Sequence, residues 1–110
     1  DKINVLDEAY FLYCEEADLG VRAKKLGEKF TYAMRSYIYH KGGCTTCQRG
    51  SGFRDYHLTR SWTILLNRYA REYLPTFKRI SLSIMKKRLK HLHLIRAYSV
   101  YSGLRDGLNI

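Results

Sequence analysis

Apolar residues recur at helical spacing near the start of the chain. Leu19, Ala23 and Leu26 share one face of a helix wheel, and the chain continues with Gly27, a residue type that often terminates helices. Arg22 lies four residues after Asp18, a spacing that supports an ion pair along the helix surface. The pattern therefore predicts a first helix over residues 15–26.

Three further helices are predicted in the second half of the chain. Helical spacing returns near Arg54 and ends before Pro75. Residues 77–96 place apolar side chains on one side of a helix wheel and basic side chains on the other, which predicts one basic amphipathic helix. Residues 96–108 are predicted as a last helix that is broken by Gly103 and Gly107.

Between the first two helices, the pattern changes to strand periodicity. Phe30, Tyr32 and Met34 alternate with more polar or smaller residues, and residues 37–40 continue the pattern after an expected kink near Ser36. A loop is expected over residues 41–52, which begin with Lys-Gly-Gly. The chain alone is therefore predicted to be a helix-rich α+β unit with a short β-strand pair and three to four helices.

Charge is unevenly distributed along the 110 residues, whose formal net charge is +10 at pH 7. Residues 1–50 hold eight Lys and Arg against seven Asp and Glu, whereas residues 51–110 hold twelve against three. This asymmetry indicates an anionic partner for the second half. Because no nucleic-acid-binding motif accompanies the basic helix, its apolar face favours an anionic membrane surface over nucleic acid.

Two interpretations of the chain as a small binding or structural domain follow from its basic residues and its cysteines. A basic module that binds nucleic acid or anionic membrane is one of them. The other is a zinc-stabilised domain, since Cys-x2-Cys is a common zinc-binding spacing and histidines flank it; the residues are His40, Cys44, Cys47 and His57. Three cysteines in all argue against a disulfide framework and favour a reducing compartment.

The acids Glu15, Glu16 and Asp18 form the densest chemical cluster in the sequence. Grouped carboxylates can bind a cation, or one of them can act as a base. On a helix, Glu15 and Asp18 share a face and Glu16 is turned about 100° away. The alternative is structural, because acids are also favourable in the first turn of a helix.

The order of motifs around this cluster resembles that of the family 2 inverting glycosyltransferases, in the rhamnosyltransferase-like branch. Residues 7–22 read DEAYFLYCEEADLGVR, which is similar to the family pattern F-D-E-x-F-F-x-Y-x-E-D-x-D-L-x-x-R. Leu26-Gly27, Phe30-Thr31-Tyr32 and Tyr39-His40-Lys41-Gly42-Gly43 follow in the family's order, and residues 56–61 are similar to a segment that ends in Arg-Asn. The resemblance covers roughly residues 1–70.

The resemblance implies the GT-A fold, a Rossmann-like α/β architecture. Residues 1–70 would be the acceptor-side portion that carries the catalytic base, and residues 71–110 would be basic amphipathic C-terminal helices. The family's Asp-x-Asp motif and nucleotide-binding unit do not occur in this sequence. The resemblance therefore implies the C-terminal part of a larger transferase, and the isolated 110 residues are expected to be inactive.

The resemblance also assigns roles to individual residues. Glu16 would be the general base, at a position where the family more often has Asp, and Glu15 and Asp18 would orient the acceptor or the base. Arg60 would contact the acceptor or the diphosphate, although Ser61 replaces the family's Asn. His40 would help to bind a divalent metal, Mg2+ or Mn2+, whose other ligands would lie mainly on residues absent from this chain.

The function implied by the resemblance is transfer of a sugar from a nucleotide-sugar to a saccharide or lipid-linked acceptor, in polysaccharide or cell-envelope synthesis. The expected location is cytoplasmic, at the inner face of a membrane. The basic C-terminal helices would contact its anionic surface, and no nucleic-acid partner is expected.

Overall fold

A computed structural model describes residues 6–40 and 44–110 of the chain, with residues 44–49 described in their backbone alone. The ordered elements are α1 (Glu15–Lys25), α2 (Cys44–Tyr69), a 3-10 turn (Arg71–Tyr73), α3 (Leu74–Lys90) and α4 (Leu94–Leu108). α4 packs along α2, and α3 packs mainly against α4. In the described part of the chain, no helix is long and apolar enough to cross a membrane.

The first helix confirms the prediction from the sequence. α1 ends at Lys25, and Gly27 follows in the left-handed region at φ 79°. The Gly27 N–H donates to the Lys24 carbonyl at 3.1 Å, and the Glu28 N–H donates to the Ala23 carbonyl at 3.0 Å. This is the Schellman arrangement, which satisfies carbonyl groups that the helix leaves without partners.

The predicted α/β fold class is wrong, since residues 6–40 and 44–110 contain helices and no strand. The alternating residues of the expected strand pair are almost fully exposed, with Tyr32 at 94% and Met34 at 89%. A strand needs a neighbouring strand to receive its backbone hydrogen bonds, and the described chain provides none here. Only a turn forms, in which the Ser36 N–H donates to the Ala33 carbonyl at 2.9 Å.

The polar stretch that was expected to be a loop is largely helical. α2 begins at Cys44, well before Arg54, and its helical geometry is interrupted at Gly50 (φ 84°, ψ 165°). Glycine adopts this conformation without the steric cost that a Cβ would impose. Residues 41–43, which were predicted as part of the same loop, lie outside the described residues.

The expected single helix over residues 77–96 is two helices. α3 ends at Lys90 and α4 begins at Leu94, with Leu92 between them at φ 56°. Conversely, Gly103 and Gly107 do not break α4, because both are buried where α4 meets α2. The glycines allow close helix packing, which outweighs their low helix propensity.

The described residues before α1, residues 6–14, form an N-terminal segment that side chains of α2 bind. Arg60 donates to the Ala9 carbonyl at 2.7 Å, and Ser61 donates to the Leu12 carbonyl at 2.7 Å. A small core of Tyr10, Cys14 and Ile64 lies between the two elements. These contacts fix the segment that leads into α1.

Candidate functional site

The start of α1 presents two acids after a strained turn. Tyr13 and Cys14 both have left-handed backbones, at φ 69° and 66°, and neither is a glycine. A non-glycine residue in this conformation costs of order 1 kcal/mol or more, and such strain is found disproportionately at functional sites. Glu15 and Glu16 follow directly as the first two residues of α1.

Glu15 and Glu16 differ in their surroundings. The Glu16 side chain is exposed, whereas Glu15 is half-buried and its Oε2 atom is inaccessible. That oxygen accepts no hydrogen bond within the described part of the chain. The helix therefore offers one solvent-accessible carboxylate beside a second one with unused acceptor capacity.

Asp18, the third acid, is fully buried and bonded on both oxygens. Arg22 donates from Nε to Oδ2 at 2.7 Å, and the Tyr69 hydroxyl donates to Oδ1 at 2.8 Å. A second arginine, Arg68, lies 3.8 Å from Oδ1 and also pairs with Asp7 at 2.6 Å. These bonds attach α1 to the end of α2, so Asp18 positions the helix that carries Glu15 and Glu16.

Burial and the neighbouring acids change the protonation of groups around this helix start. Burial and the charges of Glu15 and Glu16 raise the pKa of the Cys14 thiol to about 11. Burial, together with the hydrogen bond to Asp18, raises the pKa of the Tyr69 hydroxyl. Burial likewise raises the pKa of Tyr10, to which Asp18 contributes. All three groups are therefore neutral at pH 7, and Cys14 is a poor nucleophile.

Arg60, a predicted acceptor or diphosphate contact, holds the loop that precedes the acids. Its guanidinium donates to the Ala9 carbonyl, and the backbone then leads through the strained turn to Glu16. Ser61, at the position where the family has Asn, is fully buried and donates to Leu12. A direct contact between Arg60 and a ligand stays a prediction.

His40, the predicted metal ligand, is exposed at the end of the segment that follows α1. Among the residues that the structure describes, no three His, Cys, Asp or Glu side chains are grouped so that they could hold a metal. Two ligands of the zinc alternative, the Cys44 and Cys47 side chains, lie outside the described residues. The described residues thus supply His40 as one candidate ligand and no complete ligand set.

His57, the remaining histidine of the zinc alternative, lies in an aromatic cluster. Its ring centroid is 4.4 Å from that of Phe53, 4.9 Å from Tyr56 and 5.0 Å from Phe11. Such distances are typical of packed aromatic pairs. The cluster connects the N-terminal segment to α2.

The sequence contains only weak signals for the partners of the buried acids. Arg68 and Tyr69 lie about fifty positions beyond Asp18, so no local spacing connects them to it. Asp55 is also buried and accepts two bonds from Arg96, at 2.7 and 3.1 Å. A lone acid inside a basic, largely apolar stretch is the signal that points to Asp55 as an internal ion-pair partner.

Comparison with known proteins does not identify the chain. No protein-family model, curated protein or solved structure matches it.

Proposed function

We propose that this chain is the acceptor-side portion of an inverting glycosyltransferase. The enzyme would move a sugar from a nucleotide-sugar to a saccharide or lipid-linked acceptor, in polysaccharide or cell-envelope synthesis. The observation that carries the proposal is the exposed Glu16, displayed on the first turn of α1 directly after the strained residues Tyr13 and Cys14. The ordered motifs over residues 1–70 support it independently.

Glu16 acts as the general base in this proposal. Its carboxylate takes the proton of the acceptor hydroxyl while that oxygen attacks the anomeric carbon of the donor sugar. The bond from the anomeric carbon to the diphosphate breaks on the opposite face, so the nucleoside diphosphate leaves and the configuration inverts. Glu15, half-buried beside it at the start of the same helix, would orient the base.

Asp18 and Arg60 are positioning residues in this proposal. Asp18 holds α1 against Tyr69 and Arg22, and Arg60 holds the loop that leads to the strained turn. Residues elsewhere in the transferase would bind the donor, and the 110 residues alone would not turn it over. A divalent cation, Mg2+ or Mn2+, would supply positive charge to the departing diphosphate, with His40 as a ligand from this chain.

The test is a transfer assay on the transferase that contains this segment, with Glu16→Gln. We expect kcat to fall about 100- to 10,000-fold, the usual contribution of a general base. The free energy of unfolding should be unchanged because Glu16 is exposed. Glu28→Gln is the matched control, since Glu28 is an exposed acid just after the same helix. Full turnover by Glu16→Gln would refute the assignment of the base.

A second proposal concerns location. α3 contains basic residues and no acid, and several of its aliphatic side chains are exposed, among them Ile80 at 52%. Basic residues beside exposed aliphatic ones suit an anionic membrane surface. The chain is therefore proposed to work in the cytoplasm at the inner face of a membrane, near lipid-linked acceptors.

A further inference from the structure

The turn between α3 and α4 exposes an unusual amount of aliphatic surface. Leu92 is 82% exposed, Leu94 is 62% exposed and Ile95 is 80% exposed. Leu89, in the last turn of α3, is 44% exposed. Contiguous apolar side chains of this size on a surface usually mark a site of interaction. We refer to residues 89–95 as the α3–α4 tip.

The backbone of the tip is strained at Leu92, the most exposed of its leucines. Leu92 has φ 56°, a left-handed conformation that disfavours any residue with a Cβ and is adopted more readily by Asn or Gly. The surrounding hydrogen bonds hold it there, since the Leu92 N–H donates to Leu89 at 2.9 Å and the His93 N–H donates to Arg88 at 2.9 Å. A leucine at this position is costly for the fold, so its aliphatic side chain points to a use outside it.

The helices on both sides of the tip are fixed to α2 through one carboxylate. Asp55 accepts two hydrogen bonds from Arg96 of α4, and Arg88 of α3 lies 3.6 Å from the same carboxylate. Asp55 is buried and the two arginine side chains are 27% and 21% exposed, so these ion pairs are partly shielded from solvent. The tip is therefore held in a fixed orientation, with the charges of Arg88 and Arg96 compensated internally.

The remaining cations around the tip are available to a partner. Lys86, Lys87 and Lys90 are exposed, and none of them forms an ion pair with another residue that the structure describes. α3 offers no acid to compensate them. The tip thus combines an aliphatic end with a cluster of lysines.

We propose that the α3–α4 tip inserts into the interfacial region of an anionic phospholipid bilayer. Its aliphatic side chains would enter the boundary between headgroups and acyl chains, and the three lysines would bind anionic headgroups. A nucleic acid would satisfy the lysines but would offer little apolar surface to Leu92, Leu94 and Ile95. This inference identifies the surface that makes the membrane contact proposed above, and it does not depend on glycosyl transfer.

The test is binding of the 110-residue chain to vesicles of phosphatidylcholine with or without phosphatidylglycerol, measured by co-sedimentation. We expect binding only when phosphatidylglycerol is present. Replacing the lysines (Lys86→Gln, Lys87→Gln, Lys90→Gln) should weaken binding about a hundredfold, at about fivefold for each charge near the surface. The matched control removes three exposed cations elsewhere in the chain (Lys24→Gln, Lys29→Gln, Arg35→Gln) and should retain most of the affinity.

A second variant tests whether the aliphatic side chains of the tip enter the lipid. Leu92→Asn with Leu94→Gln should weaken vesicle binding about tenfold or more, since two leucines no longer enter the lipid. Asn is well suited to the left-handed conformation at position 92, so the thermal midpoint of unfolding should not fall. Ile110→Asn, at an exposed position on the other end of α4, is the control.

Three results would overturn the proposal. Equal binding to vesicles with and without phosphatidylglycerol would refute the role of the lysines. Undiminished binding by the Leu92→Asn, Leu94→Gln variant would refute insertion. Tighter binding to a nucleic acid that depends on the same lysines, and not on Leu92, would assign the surface to a different partner. None of these results depends on whether Glu16 is a base.

Discussion

At the residue scale, the three clustered acids serve different purposes although they lie within four positions. Asp18 is fully buried and bonded by Arg22 and Tyr69, whereas Glu16 is exposed. A carboxylate whose oxygens are bonded internally is poorly placed to accept a proton from a substrate, and an exposed one is well placed. Asp18 therefore stabilises the fold, and Glu16 is the acid that is available for the proposed proton transfer.

Asp18→Asn is expected to destabilise the chain without direct chemical effect. It removes the buried negative charge that Arg22 and Arg68 face, and breaking a buried ion pair costs about 3–5 kcal/mol. Both arginines are partly exposed and Arg68 also pairs with Asp7, so we expect a loss below this range, about 2–3 kcal/mol. Urea unfolding measures the change. Glu16→Gln is the internal control and should differ from wild type by less than about 0.5 kcal/mol.

A stability loss for Glu16→Gln as large as that for Asp18→Asn would contradict this division of roles. So would an Asp18→Asn variant that unfolds at the wild-type urea concentration.

The sequence identifies the three acids but does not predict which of them is buried and which is exposed. The spacing of Asp18 and Arg22 predicted their ion pair, which the structure confirms at 2.7 Å. The burial of Asp18 depends on Tyr69, which is distant in sequence and reaches Asp18 only once α1 lies against α2. Long-range contacts of this kind follow from tertiary packing, which local periodicity does not encode.

At the element scale, glycines determine how closely α4 approaches α2. A Cβ atom on Gly103 would lie 2.5 Å from the Tyr56 carbonyl oxygen, and one on Gly107 would lie 2.7 Å from the Arg60 carbonyl oxygen. Both neighbours are backbone atoms of α2, which cannot rotate away as a side chain can. The spacing of four residues places both glycines on the face of α4 that contacts α2.

Gly103→Ala should therefore destabilise the chain by about 1–3 kcal/mol, the usual cost of overpacking, although alanine favours helices. Gly20→Ala is the matched control, because Gly20 is also helical and its nearest potential contact is 3.9 Å away, at Phe30 Cζ. That variant should be more stable by about 0.5–1 kcal/mol. Thermal or urea unfolding of the two variants measures the difference. If both alanines stabilised the chain, the close approach of α2 and α4 would be refuted.

Helix positions were more predictable than the boundaries between helices or the expected strands. The apolar periodicity of α1 is local, and the Gly27 ending confirmed it. Residues 30–35 have strand periodicity and yet form no strand, because a strand exists only with a partner. No Gly, Asn or Pro lies at the turn around Leu92, so the pattern of residues 77–96 predicts one helix.

At the scale of the whole molecule, buried ion pairs and hydroxyls join the elements into one structure. Asp18 joins α1 to α2, Asp55 joins α2 to α3 and α4, and the Tyr56 hydroxyl donates to Asp106 of α4 at 3.1 Å. The Tyr56 and Tyr69 hydroxyls are donors in these links and therefore have to be neutral, and Asp106 accepts as a carboxylate. The stability of the whole chain is therefore expected to depend on pH at both extremes.

At alkaline pH, the stability depends on one thiol and on hydroxyl groups whose pKa is raised in the folded chain. Burial raises the pKa of Cys14 from its usual 9.0 to about 11, and burial also raises the pKa values of Tyr56 and Tyr69 above their usual 10.0. Because the folded chain binds these protons more tightly than the unfolded chain, this stability is complete below pH 9 and is lost as the pH rises toward 11 and beyond.

At acid pH, the change of stability with pH has the opposite sign. Hydrogen bonds from the Ala9 N–H and from Arg68 lower the pKa of Asp7 below its usual 3.8, and the hydrogen bond from Arg105 lowers that of Asp106. The unfolded chain binds these protons more tightly, so the stability is present above pH 3.8 and is lost as the pH falls below it. Both carboxylates are about one third exposed, so this loss should be smaller than the alkaline one.

Urea unfolding at a series of pH values measures the loss of stability at both extremes. We expect a plateau, a constant free energy of unfolding, between about pH 5 and pH 8. Tyr69→Phe should reduce the loss of stability at alkaline pH, because it removes one hydroxyl whose pKa is raised by folding. It should also lower the free energy of unfolding on the plateau by about 1 kcal/mol, because the hydrogen bond to Asp18 is lost. Tyr32→Phe is the control, since Tyr32 is 94% exposed and should change neither. Stability that rises between pH 9 and pH 11 would contradict the burial of these groups, and with it the packing of α1 and the N-terminal segment on α2.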